Sequence, residues 1–97
     1  MKTREKSKIT LVRREHAVSD GVNYKYELHM KERTRGSTTL AAYIISVEMI
    51  LDDESTTYAE TGEVFLDVGK AIAFFDRMVR NLATPIDLGY VLEDEMG

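Results

Sequence analysis

Residues 22–32 read V-N-Y-K-Y-E-L-H-M-K-E, and they have the most regular hydropathy pattern in the chain. Apolar and polar side chains alternate from Val22 to Lys31, which is the period of a β-strand with one buried and one solvated face. The apolar set is Val22, Tyr24, Tyr26, Leu28 and Met30, and the polar set is Asn23, Lys25, Glu27, His29 and Lys31. We therefore expect a half-buried strand whose tyrosines lie in the core.

The segment before this stretch is predicted to pair with it. Residues 8–18, K-I-T-L-V-R-R-E-H-A-V, are rich in β-forming side chains, and Asp20-Gly21 follows them. Glycine tolerates the positive φ of a tight hairpin turn, so the first two strands should be antiparallel. A turn centred on residues 20 and 21 places His16 opposite Tyr24 or Lys25.

Two more strands are expected further along the chain. Residues 40–51, L-A-A-Y-I-I-S-V-E-M-I-L, repeat β-branched and aromatic side chains with a period of two, which favours a strand over a helix. The second face of this strand carries, in order, Leu40, Ala42, Ile44, Ser46 and Glu48. The first half of that face is therefore apolar. A shorter strand is predicted over residues 56–61, and the pattern leaves open whether it continues past Gly62 through residues 63–66.

The period changes to that of a helix after Asp67, which is a suitable N-cap. Residues 68–82 place apolar side chains on one stripe wide enough to cover one face of a small sheet. The predicted stripe consists of Val68, Ala71, Ile72, Phe75, Met78, Val79 and Leu82. A second helix should begin at Pro85, because Thr84 is a good N-cap and Asp87 completes an approximate capping box.

These elements predict an α+β fold in the order β-β-β-β-α-α. The four-stranded antiparallel sheet is meander-like, with one amphipathic helix on one face and a short C-terminal helix after Pro85. The 97 residues fit one small domain, which we place at residues 8–97, with residues 1–7 as a flexible basic N-terminus.

Two segments also carry a resemblance to a known family. R-N-L-A-T-P-I-D-L at residues 80–88 and Y-I-I-S-V at residues 43–47 stand in a chain of four strands followed by an amphipathic helix. In this the chain resembles an uncharacterised domain-of-unknown-function family of small cytoplasmic proteins from spore-forming, clostridial-type bacteria. The likeness covers most of the chain from about residue 8 onward, and T-P-I-x-L at residues 84–88 is its most distinctive element. It implies the same fold, and because the family has no assigned activity it transfers no catalytic or binding residue.

Composition narrows the classes of protein. Apolar residues make up 43% and charged residues 31%, a balance typical of a globular domain. The chain has no cysteine, which excludes disulfides, thiolate zinc sites and a thiol nucleophile. Its charged start and the lack of any long apolar run predict a soluble, cytoplasmic protein that does not enter a membrane.

The net charge of -4 conceals a polarity along the chain. Residues 1–35 hold ten Lys/Arg against five Asp/Glu, whereas residues 36–97 hold three against twelve. Such a polarity predicts either a nucleic-acid surface or oppositely charged regions that attract each other within or between chains. The glutamates interleaved with the basic residues favour the second interpretation.

No residue pattern points to catalysis or to a cofactor. The phosphate-binding, dinucleotide-binding, zinc-protease and nucleophile-elbow motifs do not occur. His16 and His29 are predicted to be polar residues on solvated strand faces, and the carboxylates of residues 52–54 to belong to a polar turn. We therefore predict no catalytic residue, no metal ligand and no cofactor, and a protein that is not an enzyme.

The leading hypothesis is a protein-interaction module of unknown process. One helix layer covers one face of a sheet, so the other face, or an edge strand, is left for a protein partner or for self-association as a homo-oligomer. The predicted interface residues are Lys25, His29, Leu40, Ala42 and Ile44.

Two alternatives belong to other classes of protein. The first is nucleic-acid binding through a basic N-terminal arm, and the second is a small enzyme or ligand-binding domain. The predicted nucleic-acid contacts are Lys6, Lys8, Arg13 and Arg14.

Overall fold

The computed structural model describes residues 5–96 and contains four strands followed by two helices. They are β1 (Glu5–Ser19), β2 (Val22–Arg35), β3 (Thr38–Ile50), β4 (Thr56–Glu60), α1 (Val68–Arg80) and α2 (Pro85–Met96). Neighbouring strands pair antiparallel in the order β1-β2-β3-β4. The predicted α+β meander is therefore confirmed.

Tight turns set the register of the long hairpins. Asp20 and Gly21 both have positive φ, 51° and 78°, as a type I′ turn requires. This turn pairs His16 with Lys25, as expected. Gly36, with φ of 61°, begins the second turn between β2 and β3.

The first strand differs from its prediction in two ways. It begins at Glu5 rather than at residue 8, so residues 5–7 pair with β2, while residues 1–4 of the predicted flexible N-terminus lie outside the described residues. The register shifts between Leu11 and Arg13, which leaves Val12 as the extra residue of a β-bulge. The bulge explains why apolar residues alternate less cleanly here than in β2.

Both helices lie on one side of the sheet and bury a single core against it. The largest fully buried side chains are Tyr26, Phe74, Phe75, Leu28, Ile45, Met78, Leu88 and Val47. The ring of Tyr24, which is partly buried at the edge of this cluster, stacks on that of Tyr26 with centroids 6.2 Å apart. The core position predicted for the β2 tyrosines is confirmed.

The predicted stripe of α1 was wrong at two places. Val68 is 45% exposed, whereas Phe74, which the stripe omitted, is 2% exposed. The reason lies before the helix, where Phe65 packs against Phe74 with ring centroids 5.1 Å apart and draws that side of α1 towards the sheet. Leu82 follows the end of α1 and has φ of 50°.

The position of Phe65 shows whether the fourth strand continues past Gly62. β4 ends at Glu60, and Gly62 turns the chain with φ of 73°. The chain returns to β3 at one point, where the Tyr43 N–H donates to the carbonyl oxygen of Phe65 at 2.8 Å. The strand is thus interrupted at Gly62 rather than continuous.

The corner between the helices has the predicted capping chemistry. The N–H of Asp87 donates to Thr84 Oγ1 at 3.2 Å, and the N–H of Thr84 donates to Asp87 Oδ2 at 3.0 Å. One residue earlier, the Ala83 carbonyl accepts a 2.8 Å hydrogen bond from the buried hydroxyl of Tyr26. This bond ties the corner to the middle of the sheet.

Removal of that hydroxyl should destabilise the domain. Tyr26→Phe leaves the buried Ala83 carbonyl without its partner, so we expect the free energy of unfolding to fall by about 1–2 kcal/mol. Urea denaturation followed by circular dichroism measures the change. Tyr24→Phe is the matched control, since it removes a hydroxyl from the same face of β2 and should have a much smaller effect. Equal losses in the two variants would show that the Tyr26 bond does not hold the corner.

The same hydroxyl should make stability depend on alkaline pH. Burial, assisted by repulsion from Tyr24 and Asp87, raises the pKa of Tyr26 from 10.0 to about 12. The folded state therefore holds this proton more tightly than the unfolded state, and the resulting stability is complete below pH 10. It should be lost as the pH rises through the interval between the two pKa values. Urea midpoints measured across that interval should fall less in Tyr26→Phe than in the wild type, and parallel falls would contradict the assignment.

Candidate functional site

The side of the sheet that faces away from the helices is named the open face. Its members follow from the register, because residues paired across an antiparallel sheet share a face and neighbours in a strand alternate. In β1 and β2 they include Ile9, Leu11, Arg14, His16, Val18, Lys25, Glu27, His29, Lys31 and Arg33. In β3 and β4 they include Leu40, Ala42, Ile44, Ser46, Glu48, Tyr58 and Glu60.

All five predicted interface residues lie on the open face. His29 is the cross-strand neighbour of Ile44 on one side and of Leu11 on the other. Lys25 stands apart from the others, two rows further along β2, where its ammonium lies 3.4 Å from the Glu48 carboxylate.

The structure adds three apolar residues that the sequence prediction missed. Ile9, Leu11 and Leu66 are 61%, 42% and 78% exposed, comparable with Leu40 at 70%. Ile9 lines a shallow depression with His29, Ile44 and Glu60, and Leu66 lines another with Leu40 and Ala42. We name the six residues of this area the apolar patch: Ile9, Leu11, Leu40, Ala42, Ile44 and Leu66. The i, i+2 spacing of Ile9 and Leu11 in the sequence could have identified these two residues as members of the open face. The position of Leu66 depends on the hydrogen bond between Tyr43 and Phe65, which no local sequence pattern indicates.

The cations beside the apolar patch are neutralised within the chain. Glu63 lies 2.7 Å from the Arg33 guanidinium and 3.9 Å from the Lys31 ammonium, and Glu5 lies 3.6 Å from Arg33. Ala42 is the cross-strand neighbour of Lys31 and borders the same depression as Glu63. The small side chain of Ala42 leaves space for the Glu63 carboxylate to reach Lys31 across β3, and Ala42 itself is only 9% exposed.

The other half of the open face is a ladder of charged side chains. Arg14 Nε donates to Glu27 Oε2 at 2.7 Å, directly across the strands, and Lys25 pairs with Glu48. Partial burial of Glu27 opposes its ionisation, but the hydrogen bond and charge of Arg14, together with Lys25, outweigh it and hold the pKa of Glu27 below its usual value. Glu27 is therefore a stable anion, and this half of the face is hydrophilic.

The four predicted nucleic-acid contacts do not form one surface. Lys6 and Lys8 pair with Thr34 and Glu32, on the same side of the sheet as the helices. Arg13 and Arg14 are adjacent and therefore face opposite sides, and the bulge at Val12 determines which side each faces. Arg13 contacts Asp76 of α1 at 3.1 Å, and Arg14 contacts Glu27 on the open face. Two of the four charges are thus neutralised and the set is divided between the faces.

Among the side chains that the structure describes, no group of three or more His, Asp or Glu is arranged to hold a metal ion. The carboxylates of residues 52–54 lie in the predicted turn, where Asp53 accepts a 3.0 Å hydrogen bond from the N–H of Ser55. That bond and the Ser55 hydroxyl lower the pKa of Asp53. These contacts account for the cluster as local turn chemistry.

No protein-family model, curated protein or solved structure matches the chain. In the part of the chain that the structure describes, neither helix has the length and apolar character needed to cross a membrane. The resemblance to a family from spore-forming bacteria stays a prediction.

Loss of the Glu63 charge should leave the fold nearly as stable as before. The three side chains of this cluster are 24–45% exposed, and solvent-exposed ion pairs contribute about 1 kcal/mol or less. We expect Glu63→Gln to lower the free energy of unfolding by no more than that, and the difference from wild type to shrink in high salt. Urea denaturation at low and high salt measures the loss of stability and its salt dependence. Glu93→Gln, at an exposed position of α2, is the control. A loss of several kcal/mol would mean that Glu63 is structurally essential.

Proposed function

We propose that the protein is a small, non-catalytic protein-interaction module that binds its partner through the open face of the sheet. The observation that carries this proposal is the apolar patch, which lies on a face that no helix covers and keeps Ile9, Leu40 and Leu66 more than 60% exposed. Complete burial of one such side chain contributes about 1.5–3 kcal/mol, so their joint burial would favour association strongly. A group of exposed apolar side chains on one face is typical of binding sites.

The neighbouring charges support the same proposal. A charge that is covered without a partner costs several kcal/mol, which normally keeps apolar partners away from a lysine or an arginine. Here Lys31 and Arg33 already contact Glu63, and a partner could cover the apolar patch without separating these ions from their counter-ions.

The face is a better binding surface than either edge of the sheet. The β1 edge carries the Val12 bulge and several charged side chains, both of which impede the addition of another strand. The opposite edge consists of β4, which has only five residues before the chain turns at Gly62, and of the first half of β3, where Phe65 pairs with Tyr43. We therefore place the interaction on side chains of the open face rather than on backbone hydrogen bonds at an edge.

The proposal includes a cytoplasmic location, with which a chain free of cysteine is consistent. Nucleic-acid binding is the weaker alternative. It would require Lys6, Lys8, Arg13 and Arg14 to act together, and the division of these side chains between two faces does not favour that.

An affinity experiment with matched variants tests the binding surface. Tagged wild-type, Leu40→Asp and Ile86→Asp proteins are used as baits in extract of the source cells, with and without nuclease, and captured proteins are quantified by mass spectrometry. Leu40 and Ile86 are 70% and 74% exposed, but Ile86 lies on α2, outside the open face. We expect a nuclease-resistant partner that Leu40→Asp loses and Ile86→Asp retains.

Two results would contradict the proposal. Capture of the same proteins by all three baits would remove the open face as the binding surface. Recovery of nuclease-sensitive material alone would favour nucleic-acid binding.

A further inference from the structure

We infer that the partner of the open face is a second copy of this chain, which packs face to face to form a sandwich of two four-stranded sheets. The inference rests on the proposed function of the open face and names its occupant.

The charge around the apolar patch is balanced. Three cations in this part of the open face, Lys31, Arg33 and Arg35, are matched by three anions, Glu5, Glu60 and Glu63. Glu63 lies 2.7 Å from Arg33 and 3.9 Å from Lys31, and Glu5 lies 3.6 Å from Arg33. In a symmetric dimer the same surface meets itself, so any net charge would be repelled by its own copy. A neutral surface satisfies that condition, whereas a strongly charged partner would find no complementary charge here.

The arrangement of the apolar side chains allows two copies of the apolar patch to face each other with apolar residues in contact. They form two columns, Ile9 and Leu11 on β1, and Leu40, Ala42 and Ile44 on β3, on either side of the polar column of β2. A two-fold axis that runs along β2 brings the β1 column of one copy over the β3 column of the other. An axis across the strands brings each column over its own copy. Both symmetric orientations therefore bury apolar against apolar side chains, as sandwich packing requires.

The area of the face is also sufficient. Seven side-chain rows of β2, from Asn23 to Arg35, face outwards beside β1 and β3, and β4 adds a fourth strand beside three of these rows. With rows about 6.7 Å apart and strands about 4.8 Å apart, the face covers roughly 750 Å². A protein–protein interface of standard size buries about 800 Å² on each partner.

Sedimentation equilibrium of the purified chain over a range of concentrations tests the inference. The mass should rise from 11.1 kDa towards twice that value as the concentration increases. Leu40→Asp appears on both sides of the interface, so we expect it to weaken the dimer by about tenfold or more, while Ile86→Asp leaves it unchanged. Circular dichroism of each variant confirms that it is folded.

A charge change distinguishes self-association from binding to an acidic partner. Glu63→Gln gives each copy one uncompensated positive charge beside the apolar patch, so the two faces repel. The dimer should weaken at low salt, and added salt should restore it. An acidic partner would instead bind this variant more tightly at low salt.

The outcomes separate this inference from the proposed function. A wild-type mass that stays at 11.1 kDa at every concentration, or a dimer that Leu40→Asp does not affect, overturns face-to-face self-association. If the affinity experiment nevertheless finds a different protein that Leu40→Asp loses, the interaction module stands and only its occupant changes. If neither experiment depends on Leu40, both proposals fail.

Discussion

The hydroxyl of Tyr26 donates a hydrogen bond to the carbonyl of Ala83, and neither residue is appreciably exposed. Ala83 lies in the short connection between α1 and α2, so this bond fixes the point where one helix ends and the next begins. The reciprocal bonds of Thr84 and Asp87 then set the direction of α2 from that point. Because Tyr26 comes from the middle of β2, the corner must lie over the central strands, and both helices are held on the same side of the sheet.

This arrangement determines which residues of the sheet face solvent. Because both helices lie on one side, the apolar side chains of β2 pack in the core, and the β2 residues between them face the other side of the sheet. In β3 the same alternation turns every second residue towards the open face, and in the first half of the strand these residues are apolar. A fold with the two helices on opposite faces would have covered the apolar patch. The exposure of the candidate site thus follows from the attachment of the α1–α2 corner to the other side of the sheet through Tyr26.

The sequence predicted the features that depend on local chemistry and missed those that depend on distant contacts. The alternation of β2, the Asp20-Gly21 turn and the Thr84-Pro85 helix start each involve a few adjacent residues, and all three were confirmed. The burial of Phe74 depends on Phe65, nine residues earlier, and periodicity within α1 does not contain that information. The position of Glu63 over β3 likewise depends on the turn at Gly62 and on the small side chain of Ala42. Five residues of the open face were predicted, but the ion pairs beside them were not.

The charge polarity of the chain finds an explanation in the same contacts. Arg13, Lys25, Lys31 and Arg33 come from the basic first third, and each contacts an acidic residue from the rest of the chain. The bulge at Val12 contributes, because it places Arg13 against α1 and Arg14 against Glu27 on the open face. The basic first third and the acidic remainder of the chain therefore attract each other within the fold, which is the interpretation that the interleaved glutamates favoured. Since these cations are engaged internally, the area near the apolar patch presents mainly apolar side chains, and the proposed association would depend on their shape rather than on net charge.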